Sequence, residues 1–353
     1  MKIKISKNKL VYNYCEPYII AEIGANHNGD MDLAKEMILS AKRCGADCAK
    51  FQSWSADSII SNEEYDRNQS YNDGDGGKKH FGSLKEMVTK YQLTNKQHKE
   101  LKEFCDDHEI DFCSTPFSVE EADLLNSLDI PFFKIASMDI NNESLLRHVA
   151  RFKKPVIIST GMSTLDEIDW AVKTIENEGN FEIIILHCIS IYPPKFEDIN
   201  LNNISMLQRT FNYPIGFSDH SIGSAIPLAS VALGTCLIEK HFTLDKDMPG
   251  WDHKISADSI ELIEICKESK AIQKSMGVFQ RVVSEDEEGK KLKFRRSIVA
   301  SRDLKKGDTI SKQDITSKRP GTGISPNKEE LVVGRVLNKD LTYDTLIKVS
   351  DLV

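Results

Sequence analysis

The 353-residue chain lacks most of what marks a secreted, membrane-bound or nucleic-acid-binding protein. Positive charge is in deficit, with 46 Lys and Arg against 54 Asp and Glu for a formal charge of −8, which counts against a polyanion-binding surface. Long hydrophobic runs are missing: the longest weakly polar stretch, Ile226 to Ile238, is broken by Ser230, Gly234 and Thr235 and is too short for a bilayer span. The opening MKIKISKNKL has no apolar stretch of the kind a signal peptide needs, so a cytoplasmic protein without a membrane segment is expected. No Cys-x-x-Cys or finger spacing joins Cys15, Cys44, Cys48, Cys105, Cys113, Cys188, Cys236 and Cys266, which read as reduced, buried thiols. What remains, 40% hydrophobic and 28% charged, is the composition of an ordinary globular protein with ample core.

Charge is divided unevenly along the chain. From Leu292 to Val353 there are 13 Lys and Arg against 8 Asp and Glu, a net +5, which leaves −13 for the rest. Between the two parts, VVSEDEEGKKLK (Val282 to Lys293) is a polar charge run without apolar periodicity and reads as a linker. The expected organisation is a large domain over 1–284, a linker over 285–293 and a small domain over 294–353. A tail of about 60 residues is near the lower limit for an independent core.

Before the linker, eight short segments rich in β-branched residues alternate with amphipathic stretches: Tyr18–Ile23, Cys48–Gln52, Ile110–Ser114, Phe132–Ala136, Val156–Ser159, Ile183–His187, Ile215–Phe217 and Cys236–Lys240. Helical patterns such as Met31–Cys44, Val119–Leu128, Thr164–Glu178 and Ile260–Met276 fill the intervals. Strand–helix alternation at this pitch implies parallel strands, and eight units fit an α/β fold of the (β/α)8 TIM-barrel type. A doubly wound open sheet is the competing architecture, weakened because no Gly-x-Gly-x-x-Gly follows the first strand. The long polar interval Ser53 to Leu93 reads as an insertion or lid over the mouth.

In such a barrel the chemistry belongs at the carboxyl ends of the strands, and polar residues collect there. Glu22 and Asn26 follow from the first strand, Lys50 and Gln52 from the second, Ser114 and Thr115 from the third, Lys134 and Ser137 from the fourth, and Ser159 and Thr160 from the fifth. The sixth gives His187, Ser190 and Tyr192, the seventh Ser218, Asp219 and His220, and the eighth Glu239 and His241. Lys50 and Lys134 lie inside apolar strands, where a lysine needs a carboxylate or an anionic ligand beside it. They could hold a phosphate or carboxylate, form a Schiff base as in a lysine-dependent aldolase, or pair structurally with Glu22 or Glu239. His220 and His241 stand just beyond two successive strands, close enough to share one divalent ion, or simply to hydrogen-bond without one. Two strong protein ligands suit an octahedral Mn²⁺ or Mg²⁺ better than a closed zinc site. His187 and His253 are candidate additional ligands, while His27, His80, His98, His108 and His148 read as surface or satisfied core groups.

Taken as an ordered set, IIAEIGANHNGD, AKFQ, FCSTPFS, FFKIASMD, IISTGM, IGFSDHS, ALGTCLIEKHFTLD and PGWDHKIS resemble the N-acetylneuraminate (sialic acid) synthase family. RRSIVASRDLKKGDTISKQDITSKRPGTGISP resembles that family's C-terminal antifreeze-like (SAF) domain, so the similarity runs essentially end to end. The resemblance implies a metal-dependent condensation of phosphoenolpyruvate with the open-chain aldehyde of an N-acylated mannosamine-type sugar, giving a nine-carbon 2-keto-3-deoxy acid and phosphate. It implies that His220 and His241 are metal ligands, with Mn²⁺ expected first and Mg²⁺ or Co²⁺ as alternatives. By the same resemblance Lys50, Lys134, Thr115, Ser137, Ser159 and Ser218 bind phosphoenolpyruvate, and Glu22 handles protons on the aldehyde oxygen or the water. Gln52, Tyr192, Glu239 and Asp252 surround the sugar, and Arg319 reaches the active site of the other subunit in a domain-swapped homodimer. Two positions depart from the pattern common among makers of N-acetylneuraminate: Ser190 stands where Asn is usual and Trp251 where Pro is usual. Both lie where sugar substituents should sit. Trp251 points to a less polar substituent, such as that of a 6-deoxy or 4-acylamino sugar, and Asp252-His253-Lys254 is closer to the neuraminate and legionaminate branches than to the pseudaminate branch.

Overall fold

The computed structural model describes residues 1–7, 9–69 and 82–353 and divides into two units, Met1–Gly277 and Val278–Val353. The first unit opens with a hairpin, β1 (Ile3–Ser6) and β2 (Lys9–Val11). Eight further strands follow: β3 (Tyr18–Gly24), β4 (Cys48–Ser53), β5 (Asp111–Pro116), β6 (Phe133–Ile135), β7 (Val156–Ser159), β8 (Ile183–Cys188), β9 (Ile215–Asp219) and β10 (Leu237–His241). They run parallel in the order β5-β4-β3-β10-β9-β8-β7-β6. The last strand pairs with the first, Leu237 opposite Tyr18 and His241 opposite Glu22, as closure around an axis requires. At the remaining seam the Cys113 thiol of β5 lies 3.7 Å from the Phe132 carbonyl that leads into β6. The architecture is the expected (β/α)8 barrel, not an open sheet.

Local chemistry sets the element boundaries. The helix Met31–Cys44 starts where the Asp30 carboxylate accepts the backbone N–H groups of Asp32 and Leu33. It ends where Gly45 adopts a φ of +94°, a left-handed turn that glycine enters without Cβ strain, with Lys42 and Arg43 near the dipole's negative end. The helix Leu165–Asn177 opens with a Thr164/Glu167 capping box.

Alternation along the strands divides the apolar residues into two cores. Ile19, Ala21, Ala49, Phe51, Ile158, Ile185 and Ile238 face the surrounding helices. Ile20, Cys48, Cys113, Ile157, Ile184, Leu186 and Leu237 form an inner cluster with Ile3, Ile5 and Val11 of the hairpin. The hairpin therefore closes the amino end of the barrel, a role its short alternating strands did not announce beside a chain of parallel units. All eight cysteines are free thiols and buried, and no helix among the described residues is long and apolar enough to cross a membrane.

The interval after β4 contains short helices, Ala56–Ile59, Asn62–Arg67 and Leu84–Tyr91. Trp54, Tyr65, Met87, Val88 and Tyr91 give it a small core of its own, against which Phe117 and Trp251 pack. Residues 70–81 of the expected lid, His80 included, lie outside the described residues.

The second unit is built on antiparallel β11 (Ser297–Ala300) and β12 (Ile315–Lys318) around Ile298, Leu304, Ile310, Val332, Leu337 and Ile347. The expected linker over 285–293 is corrected here: Glu285–Phe294 is a helix of this unit, and the division falls after Gly277. Its charges explain why. Ser284 caps it, Glu285, Asp286, Glu287 and Glu288 occupy the first turn, and Lys291 and Lys293 the last, so each sign meets the opposite end of the helix dipole. An apolar stripe, the signal sought in the sequence, is not what makes this helix.

Candidate active site

At the carboxyl end of the barrel the inward positions turn polar and line a cavity of about 830 Å³. Fourteen of the fifteen expected site residues line it: Glu22, Lys50, Gln52, Thr115, Lys134, Ser137, Ser159, Ser190, Tyr192, Ser218, His220, Glu239, His241 and Asp252. The fifteenth, Arg319, belongs to the second unit, where its guanidinium lies 5.1 Å from the centre of the Phe294 ring.

Strand register explains the grouping. Glu22 lies opposite Lys50 on one side and His241 on the other, and Ser218 lies opposite Glu239. Lys50 Nζ is 2.7 Å from Glu22 Oε2 and 3.6 Å from Glu239 Oε2, and it donates to Thr115 Oγ1 at 3.1 Å. Lys134 Nζ is 3.7 Å from Glu239 Oε1, which also accepts from Ser218 Oγ at 3.0 Å. Gln52 Nε2 donates to Glu22 Oε1 at 2.7 Å. The structural ion pairs weighed as an alternative for Lys50 and Lys134 thus exist, within the same cavity as the other candidate groups.

These groups are almost wholly buried, so their charge states follow from one another. Burial pushes Glu22 up to about 7, against the pull of Lys50 and with a further push from Glu239. Burial also works against charge on Lys50, but Glu22 and Glu239 outweigh it and hold its ammonium above the usual range. Lys134 moves the other way, because burial and the nearby Lys50 exceed the help of Glu239. Glu239 is held below the usual carboxylate range: burial opposes its charge, and Lys134, Lys50 and the Ser218 hydroxyl more than offset that. The cluster combines two lysines, one firm carboxylate and one carboxyl group poised near neutrality, an arrangement suited to receiving an anion.

In the same cavity, the His220 and His241 ring centres are 5.4 Å apart. His220 Nδ1 lies 2.8 Å from the Ile189 carbonyl, which can only accept, so Nδ1 carries the proton and Nε2 keeps its lone pair. His241 Nδ1 is buried without a hydrogen-bond partner, 3.8 Å from Asp252 Oδ2. Burial and the neighbouring His220 hold His241 well below the ordinary imidazole range, and burial pushes Asp252 up to about 6. On His220 burial opposes charge, yet Cys188 and the Ile189 carbonyl more than offset it and hold the ring above the ordinary imidazole range. The donor set fits a divalent cation: two imidazoles line one cavity, and a nitrogen of one is buried and unpaired. Among the described residues no group of three or more His, Cys, Asp or Glu side chains is arranged to hold a metal, which leaves remaining positions to water or substrate oxygens.

Other expectations need correction. His187 points outward, its Nε2 2.7 Å from the Ile199 carbonyl and its ring stacked on Phe217. His253 is engaged with Thr243 Oγ1 at 2.7 Å. Ser114 joins Ser53 Oγ at 2.6 Å, and the Thr160 hydroxyl donates to the Leu186 carbonyl. Asn26 donates to the Phe242 carbonyl and to Ser256 Oγ. Asp219 pairs with Lys240 at 2.6 Å behind the strands. Conversely, Cys188, Phe117, Met138 and Ile222 line the cavity without having been singled out. Counting alternate residues from Leu186 would have found Cys188. Trp251, also at the cavity, packs edge-on against Trp54 and Tyr91 with ring centres 6.0 and 6.1 Å away.

With this geometry in place, comparison with known proteins is specific. Residues 37–281 match the NeuB family and residues 295–353 the SAF domain. The chain belongs to the NeuB family. This NeuB-family chain is 42% identical to the N,N'-diacetyllegionaminic acid synthase of Campylobacter jejuni, over 94% of its own length and 98% of that relative. It is 35% identical to a pseudaminic acid synthase of Campylobacter jejuni, over 95% of its length and 96% of the relative. Among solved structures, the N-acetylneuraminic acid (sialic acid) synthetase from Leptospira borgpetersenii serovar Hardjo-bovis, in complex with citrate, is 33% identical with a TM-score of 0.72, covering 82% of this chain and 95% of that one.

Proposed function

We propose that this NeuB-family protein condenses phosphoenolpyruvate with an N-acylated mannosamine-type sugar, releasing phosphate and forming a nine-carbon 2-keto-3-deoxy acid of the sialic or legionaminic type. The sugar is N-acetylmannosamine or a di-N-acetylated 6-deoxy analogue, and the name of the 42% identical relative favours the latter. The reading rests on one observation: both buried lysines and both inward imidazoles open into a single cavity at the carboxyl end of the barrel.

Lys50 and Lys134 hold the anionic groups of phosphoenolpyruvate, helped by Thr115, Ser137, Ser159 and Ser218. Ser159 Oγ is buried and unpaired, free to donate. A divalent cation held by His220 and His241, Mn²⁺ first, with Mg²⁺ or Co²⁺ as alternatives, would supply Lewis-acid polarisation of the sugar's aldehyde oxygen. The new bond joins carbon 3 of phosphoenolpyruvate to the aldehyde carbon, and the aldehyde oxygen gains a proton. Water then adds at carbon 2, and the bond from carbon 2 to the phosphate oxygen breaks with its electron pair leaving on phosphate. Glu22, at about 7, is able to hold a proton for the aldehyde oxygen or take one from the water. Gln52, Glu239, Tyr192, Asp252 and Ser190 orient the sugar. Arg319, exposed and stacked on Phe294, would serve a partner subunit's sugar site in a domain-swapped homodimer.

Phosphate release, assayed over a panel of acylated mannosamine analogues, is expected only when phosphoenolpyruvate and one such sugar are both present. Activity should vanish with EDTA and return with Mn²⁺. The depressed basicity of Lys134 favours one competing reading, a Schiff-base aldolase acting on pyruvate. Borohydride trapping of pyruvate on Lys50 or Lys134 would establish that reading and discard ours.

A further inference from the structure

Behind the two imidazoles, on the face of β9 and β10 turned away from the cavity, lies a buried ion pair that the reaction does not use. Asp219 and Lys240 are opposite one another in the parallel register, 2% and 0% exposed. Lys240 Nζ donates to Asp219 Oδ2 at 2.6 Å and also to the Ser221 carbonyl. The same Asp219 carboxylate accepts the Ser221 backbone N–H at 2.9 Å and the Ser221 hydroxyl at 3.0 Å. One ammonium therefore grips the residues on both sides of His220, while its own backbone immediately precedes His241. The His220 ring is fixed separately, by Ile189 at the end of β8.

We infer that Lys240 and Asp219 are positioning residues: their ion pair locks the Asp219-His220-Ser221 turn to the end of β10 and so sets the separation of the two imidazoles. Neither side chain lines the cavity, so neither touches substrate. A buried ion pair is seldom retained for stability alone, because desolvating two charges cancels most of their attraction. Here the ammonium has two acceptors and the carboxylate three donors, a satisfied network whose geometry fixes backbone beyond the reach of the strand ladder. This inference rests on reading His220 and His241 as one cation site.

The test uses the full chain with Lys240→Met, and with Asp219→Asn/Lys240→Met, whose partners are both neutral. The Mn²⁺ dissociation constant, measured from the EPR signal of free Mn²⁺, should rise about 10- to 100-fold in both. Phosphoenolpyruvate affinity by calorimetry should stay within about twofold, since the lysine cradle is untouched. The double variant should regain most of the melting temperature lost in the single one without regaining Mn²⁺ affinity, which separates positioning from bulk stability. Unchanged Mn²⁺ affinity in either folded variant overturns the inference, as does failure of both to fold, which would make the pair a determinant of the fold. If the parent protein binds no Mn²⁺, the cation reading fails instead. The inference is then decided by ¹⁵N NMR of the His220 and His241 rings: new or broadened ring signals in the double variant support it, and an unaltered spectrum refutes it.

Discussion

The two ends of the barrel interior are built from the same strands, two residues apart, and are opposite in character. At the amino end Ile20, Cys48, Cys113, Ile157 and Leu237 pack with the hairpin residues Ile3, Ile5 and Val11. One step along the same faces stand Glu22, Lys50, Thr115, Ser159 and Glu239, with Lys50 joined to Glu22, Thr115 and Glu239. Packing energy accumulates at the first end, and the second draws on it: a rigid apolar plug lets charged groups be held in a desolvated cluster whose pKa values are displaced. The comparison says that damage at one end should appear as lost stability and damage at the other as lost chemistry.

The largest expected effect is at the catalytic end. His241→Ala should lower turnover by about a thousandfold or more, with the melting temperature within a few degrees of the parent. An active variant, measured by phosphate release in metal-free buffer, would remove the role given to the cation. At the other end Ile157→Ala should cost about 2–5 kcal/mol in urea unfolding while turnover per folded molecule stays within about twofold. A marked fall in turnover there would erase the division between the ends.

A smaller change is expected from the second unit. Arg319→Ala should raise the sugar KM about tenfold and leave the phosphoenolpyruvate KM in place, since one charged hydrogen bond is removed. Equal effects on both constants would argue against a sugar contact. The smallest effect is a matter of protons. An anion placed beside Glu22 raises its pKa further from about 7, so the complex holds more protons than the free protein. Phosphoenolpyruvate affinity should therefore weaken as pH rises from about 7 to 9, and binding near neutrality should take up less than one proton, read by calorimetry in buffers of different ionisation enthalpy. Glu22→Gln should abolish the uptake contributed by this residue.

Much of this was legible in the chain. Eight apolar segments with polar ends mark the strands, and residue types at those ends mark the cavity that is the candidate site, because the barrel gathers the carboxyl ends of its strands at one end. Alternation alone would also have sorted His187 outward and Cys188 inward, and placed Lys240 away from Glu239 and His241. Strand-end position without side-chain parity was too coarse a rule. The helix Glu285–Phe294 escaped notice for a different reason, since charge complementarity with the dipole supports it in place of an apolar stripe.

The sequence by itself determined the order of the elements, the barrel class and the chemical types gathered at one end, for these follow from local periodicity and composition. Only the tertiary structure decided which neighbours each buried charge meets. Glu22 and Glu239 are both strand-end carboxyl groups, yet one is raised to about 7 and the other held low, because both meet Lys50 but only Glu239 also meets Lys134 and the Ser218 hydroxyl. Electrostatic energy in a desolvated interior depends on separations of a few ångströms between residues far apart in the chain, and those separations exist only once the barrel has closed.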